Sequence, residues 1–287
     1  MTGNVTTLPS YTRPPLVEVA ISVEFDPPAG LNAAHLGAFW TTFRDRFPSV
    51  HATTPIGPTA EDFEAAGQWV PPSLRLALSD RTDCRIQMVS GDDQWMWQVQ
   101  SDRLVVNWRK RGDAYPRYSA ALDQFREAWK AWLDMLRHAQ LNRPQSRLWH
   151  LTYVNRIPQG DLWDSPRDWP GVFPGLWGTP AAAMDELQLK GLRGQWVWEH
   201  ATIPARLHVE SSPARVGHDP PQDLLVLNLT ARGPVVSLSG EAVADAEGLT
   251  GIEAGLHHGH KMIVCKFDTV TSSKAKEHWG RHEYTRQ

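Results

Sequence analysis

The stretch from Leu16 to Phe25 alternates apolar and polar side chains, and Leu148 to Ile157 repeats the alternation. A period of two is the signature of a β-strand with one buried face. In the first stretch Val17, Val19, Ile21, Val23 and Phe25 share a face, with Glu18, Ser22 and Glu24 opposite. In the second, Trp149, Leu151, Tyr153 and Ile157 share one, with His150, Thr152 and Arg156 opposite. Two such strands must each cover an apolar face with another layer, which constrains the fold more than any composition figure.

The segments after each strand supply that layer. Beyond the first strand, Asn32 is placed to cap a helix whose stripe is Leu36, Phe39, Trp40, Phe43 and Phe47, the spacing of a core-facing helix. Residues 48–73 read as a long Pro- and Gly-rich loop. Three strands come next at 83–89, 94–100 and 103–108, then a helix over 118–139 carrying Tyr118, Leu122, Phe125, Trp129, Trp132, Leu133 and Leu136. Beyond the second strand come a loop over 158–180, a short helix over 181–189, and strands at 195–200, 206–210 and 224–230. A helix over 249–267 comes after them, and a last one runs from Thr271 to Gly280. The expected fold is α+β: two pseudo-repeated β-α-β-β-β-α lobes at 11–142 and 146–282, antiparallel sheets with helices on one face. The ends, 1–10 and 283–287, read as flexible.

Charge and cysteine narrow the function. The chain has 29 basic and 32 acidic residues, evenly spread, so no half is a basic domain suited to duplex DNA or an anionic membrane. Arg outnumbers Lys 22 to 7, which suits bidentate phosphate or carboxylate contacts. Two cysteines in 287 residues read as buried, inert thiols in a reducing compartment. With no stretch reading as a signal peptide and no membrane-spanning run, the expected location is cytoplasmic.

Short motifs run through nearly the whole chain. They are Pro14-Pro15-Leu16-Val17-Glu18-Val19 with Glu24-Phe25, Asn107-Trp108-Arg109 with Tyr115-Pro116, Tyr153-Val154-Asn155-Arg156-Ile157, and a helix from His260 to Phe267 with Trp279 beyond it. Together they resemble a sporadically distributed bacterial family of similar length that has no assigned biochemical activity. The resemblance implies no catalytic residue. The family's patchy distribution implies an accessory role in a bacterial defence or mobile-element system.

Three constellations carry chemistry. His257 and His260 are i, i+3 neighbours on a helix and could share a metal in a hydrolase or nuclease, with Glu18 and Glu24 as further groups; the bland alternative is helix-packing histidines. Arg103, Arg109, Lys110, Arg111 and Arg117 surround Trp108 and could hold a single-stranded nucleic acid. Glu18, Ser22 and Glu24 could converge with His150, Thr152 and Arg156 if the two first strands lie side by side. Phosphate loops, dinucleotide fingerprints and nucleophile elbows are absent from the sequence.

Tryptophan tips the balance. Of 14 Trp, Trp40, Trp129, Trp132 and Trp149 sit on core faces. Trp69, Trp163, Trp169 and Trp177 fall in loops, and Trp95/Trp97 and Trp196/Trp198 pair along strands. Some loop tryptophans are expected to plug the core; a surplus would mark a partner surface. The leading expectation is therefore a non-enzymatic interaction or regulatory protein without a cofactor. It would bind another protein, or itself, through Trp-bearing loops and an open sheet face, with Trp108, Arg109, Lys110, Arg111, Arg117, His150 and Arg156 as contact residues.

Overall fold

The two alternating stretches become the central pair of one sheet. A computed structural model describes residues 7–59, 61, 63, 84–112, 115–178, 188–217, 220–235 and 248–285. In it the strands β1 (Thr7–Tyr11), β2 (Leu16–Phe25), β3 (Ser49–Thr53), β4 (Arg85–Val89), β5 (Trp95–Gln100), β6 (Arg103–Arg109), β7 (Ser146–Pro158), β8 (Gly194–Glu199), β9 (Arg206–Val216), β10 (Gln222–Pro234) and β11 (Arg281–Thr285) alternate with helices. The helices are α1 (Ala33–Phe43), α2 (Arg117–His138), α3 (Trp169–Val172), α4 (Leu249–Val270) and α5 (Ser273–His278). Nine strands form one sheet in the order β3-β4-β5-β6-β2-β7-β10-β9-β8, every neighbour antiparallel.

The α+β class is as expected, and the two expected lobes share a sheet. β2 pairs β7 with Val19 opposite Tyr153, Ile21 opposite Leu151 and Val23 opposite Trp149. Paired residues point the same way, so their apolar faces merge into one floor. α2 packs over β6 and β2, and α4 over β10 and β7, both on that floor. Phe25 meets Trp129 and Trp132 of α2, each at 5.9 Å between ring centroids.

Trp149 fixes how closely α4 approaches. Its indole lies against Gly233 of β10 and Gly255 and Gly259 of α4, where a Cβ would fall within 2.8 Å, 2.2 Å and 2.8 Å of the ring. The Trp149 Nε1–H donates to the Pro234 carbonyl at 3.1 Å.

Several expectations shift. A register irregularity between Leu16 and Glu18 moves the start of β2: Leu16 is buried while Val17 is only half-buried. Such a bulge re-aims side chains by one position. The loop expected over 48–73 contains β3. The chain ends expected to be flexible include β1 and β11, which pair from Thr7 with Thr285 to Tyr11 with Arg281. The helix expected over 181–189 lies largely outside the described residues. β9 continues past Glu210 to Val216.

The described tryptophans are all at least partly buried. Trp163 and Trp169 are buried, and the Trp163 indole N–H donates to the Ile157 carbonyl at 3.2 Å. Trp163 meets Trp169 edge-on at 5.6 Å, and Trp177 and Trp196 extend this cluster through tilted and edge-on contacts. Among the described residues the only exposed large hydrophobic is Val216, and Trp69 lies outside them. Trp108, expected as a stacking platform, is 1% exposed and faces the helices beside Val19. Cys84 and Cys265 are free thiols as expected, but half-buried rather than enclosed.

Candidate functional site

A cavity of about 440 Å³ opens between α2 and α4, above the β2–β7 pair. Its floor is Leu16, Tyr153, Asn155 and Leu229, residues of β2, β7 and β10. Tyr118, Ser119 and Leu122 form one wall and His257, His260 and Ile263 the other. β1 crosses the top with Leu8, Ser10 and Tyr11.

The histidines expected to share a metal are both here, and each meets a tyrosine. The Tyr118 hydroxyl lies 3.2 Å from His257 Nδ1 and the Tyr153 hydroxyl 2.9 Å from His260 Nδ1. The Tyr118 ring stacks on the His260 imidazole at 4.2 Å, 3° from parallel. Burial pushes the Tyr153 and Tyr115 hydroxyls upward in pKa, so both stay protonated at neutral pH. His258 turns away toward His200, 6.1 Å between rings. Among the described residues no three His, Cys, Asp or Glu side chains come together to hold a metal ion.

The roof is tied down at one carboxylate. Asp268 accepts from the Tyr11 hydroxyl at 2.8 Å and from Arg281 Nε at 3.0 Å, with Lys276 Nζ at 3.3 Å. Arg117 Nη1 donates to Ser10 Oγ at 2.5 Å, joining the start of α2 to β1. Arg117 holds φ at +68°, a left-handed conformation that a non-glycine residue rarely adopts.

Glu18 and Glu24, expected beside the histidines, lie on the opposite face of the sheet. The alternation that puts Val19 and Val23 on the helix side forces them there, so they cannot act with His257 and His260. The convergence expected with the second strand does occur: His150 Nε2 lies 2.9 Å from Glu24 Oε1. Arg103 Nη2 donates to the same oxygen at 2.6 Å. Burial drives Glu24 upward, but His150, Arg103 and Thr59 outweigh it and hold the carboxyl at about 2. Burial holds the His150 imidazole below its usual value, so it remains neutral at pH 7.

This polar face, expected to be open, is crossed by the chain after β3. The Ile56 amide donates to Gln100 Oε1 at 2.9 Å and Gln100 Nε2 returns a bond to the Ile56 carbonyl at 2.8 Å. Arg103 reaches the Gly57 carbonyl at 3.0 Å, and the Thr59 hydroxyl donates to Glu24. Glu61 then reaches His208 at 3.0 Å, Arg206 at 3.4 Å and Arg232 at 2.7 Å. Burial raises the Glu61 carboxyl, but those three partners bring it below its usual range. Glu61 is not legible as a buried residue in the sequence, because an acidic residue in a Pro- and Gly-rich stretch carries no signal of burial.

The basic constellation is divided. Arg103 is buried with Glu24. Arg109 and Arg111 share the Asp93 carboxylate. Lys110 is half-buried and donates its backbone N–H to the Val17 carbonyl. Arg156 is exposed on the polar face, and Arg117 belongs to the cavity. No described helix is long and apolar enough to cross a membrane.

No protein-family model matches the chain, and no curated protein matches it.

Proposed function

We propose that this is a non-catalytic binding protein whose site is the cavity between α2 and α4, occupied by a small molecule with an apolar body. The observation that carries the reading is the cavity itself. At about 440 Å³ it lies within the range of small-molecule sites, roughly 300–1,000 Å³, and joins an apolar lining to a few polar groups in the usual way. Its tyrosines and histidines hydrogen-bond one another, an arrangement that gives the apolar cavity a polar wall. Docking through exposed tryptophans has less support, since the described tryptophans are all at least partly buried.

The test is a fluorescence titration with the neutral dye N-phenyl-1-naphthylamine. One saturable site per chain is expected. Ser119→Trp, at an exposed cavity-lining position, should weaken that site at least tenfold with circular dichroism and melting temperature unchanged. Dye that fails to saturate, or that binds the variant equally well, overturns the reading.

A further inference from the structure

We propose that β1 and β11 form a hinged lid over the cavity, clasped to α4 at Asp268, and that a ligand enters and leaves when the lid opens. The proposal rests on the cavity being a binding site and adds how access to it is controlled.

The first observation is cover. Leu8, Pro9, Ser10 and Tyr11, all of β1, line the cavity. The floor belongs to the sheet and the walls to α2 and α4. β1 is therefore the part of the lining that can move without breaking the sheet or a long helix.

The second is independence. β1 and β11 pair over five residues, from Thr7 with Thr285 to Tyr11 with Arg281. Among the described residues neither strand pairs with the nine-stranded sheet. A two-stranded ribbon is at best marginally stable alone, so this one keeps its place by docking on the body beneath it. Releasing such a unit takes far less free energy than opening the core.

The third is the clasp. Each strand of the ribbon sends one side chain to the same carboxylate of α4. The Tyr11 hydroxyl donates to Asp268 at 2.8 Å and Arg281 Nε at 3.0 Å. On the α2 side the tie is the exposed bond from Arg117 to Ser10. These are side-chain bonds, which break and re-form without disturbing a backbone ladder. Next to the clasp lies a hinge. The Thr12 and Arg13 amides donate to the Gly280 and Trp279 carbonyls at 3.1 Å and 3.0 Å. Gly280 turns the chain into β11 with φ at +67°, a conformation glycine adopts without strain. The ribbon thus has a fixed root, a polar clasp and a cavity beneath it, the parts of a ligand-gating lid.

Stopped-flow mixing with N-phenyl-1-naphthylamine tests the lid. In the wild-type protein the observed rate should level off as dye concentration rises, because lid opening then limits entry. Asp268→Asn and the surface change Arg281→Gln should each raise that plateau about fivefold, the weight of one charged tie. Dye release should quicken by the same factor, so the equilibrium affinity stays nearly constant. Circular dichroism checks that the variants keep the fold, and Arg281→Gln alone suffices if Asp268→Asn does not. Rates that climb linearly with dye, or a plateau that Arg281→Gln leaves untouched, overturn the lid while saturable binding keeps the cavity as a site. Absence of saturable binding removes both.

Discussion

Glu24 is an ionised carboxylate sealed between Arg103, His150 and Thr59, with its side chain 10% exposed. A buried charge of this kind is tolerated because its partners are charged or hydrogen-bonding, and removing one side strands the other. Its carboxyl is held down to about 2 from 4.5. A depressed carboxylate adds stability that is present above the unfolded value and is lost as pH falls through the folded one. The wild-type protein should therefore lose about 3 kcal/mol from this group between about pH 4.5 and pH 2. Glu24→Gln should be less stable at pH 7 by about 3 kcal/mol, with the gap closing toward pH 2. Urea unfolding across that range measures it, and a gap that stays constant with pH would show that Glu24 is not ionised in the fold.

Elements meet here through single large side chains seated in gaps left by small ones. α4 lies on the sheet at the distance Trp149 permits, and Gly255 and Gly259 make that distance short. In a free helix, replacing Gly with Ala gains up to about 1 kcal/mol. At Gly255 the new methyl would meet the indole at 2.2 Å, so Gly255→Ala should cost about 1–3 kcal/mol, as overpacking does. Gly37→Ala in α1, where the methyl meets nothing within 4 Å, should be neutral or stabilising. Thermal melts of the two variants give opposite signs if the slot controls docking.

At the scale of the whole molecule, the continuous sheet is the governing fact. β2 and β7 are central strands, each hydrogen-bonded on both sides. Pulling the halves apart would expose the edges of both strands and split the floor beneath α2 and α4. The chain should therefore unfold in one cooperative transition, with coincident far-ultraviolet circular dichroism and tryptophan fluorescence curves. Two resolved transitions, one for each half, would show that the β2–β7 pairing does not couple them.

Local patterning was enough for most elements. The alternation in β2 and β7, the stripe in α2 and the Asn32 cap, which accepts from the Ala34 amide at 3.0 Å, are set by side-chain period and capping chemistry. β3 was hidden because its short segment is half-exposed and shows no clean alternation. β1 and β11 were hidden because each forms only by pairing with the other end of the chain. His257 and His260 were legible as a pair on one helix face, and Glu24 and His150 as residues of polar strand faces. Their partners were not legible, since Tyr118 and Tyr153 lie more than a hundred residues from the histidines they meet. Which faces are apolar follows from neighbours one to four positions away, so the order of residues settles it. The shared sheet of the two halves, the Glu61 carboxylate buried beside Arg206 and Arg232, and the cavity between α2 and α4 arise in the folded chain alone. Register and packing set those outcomes, and both depend on contacts between residues far apart in the chain.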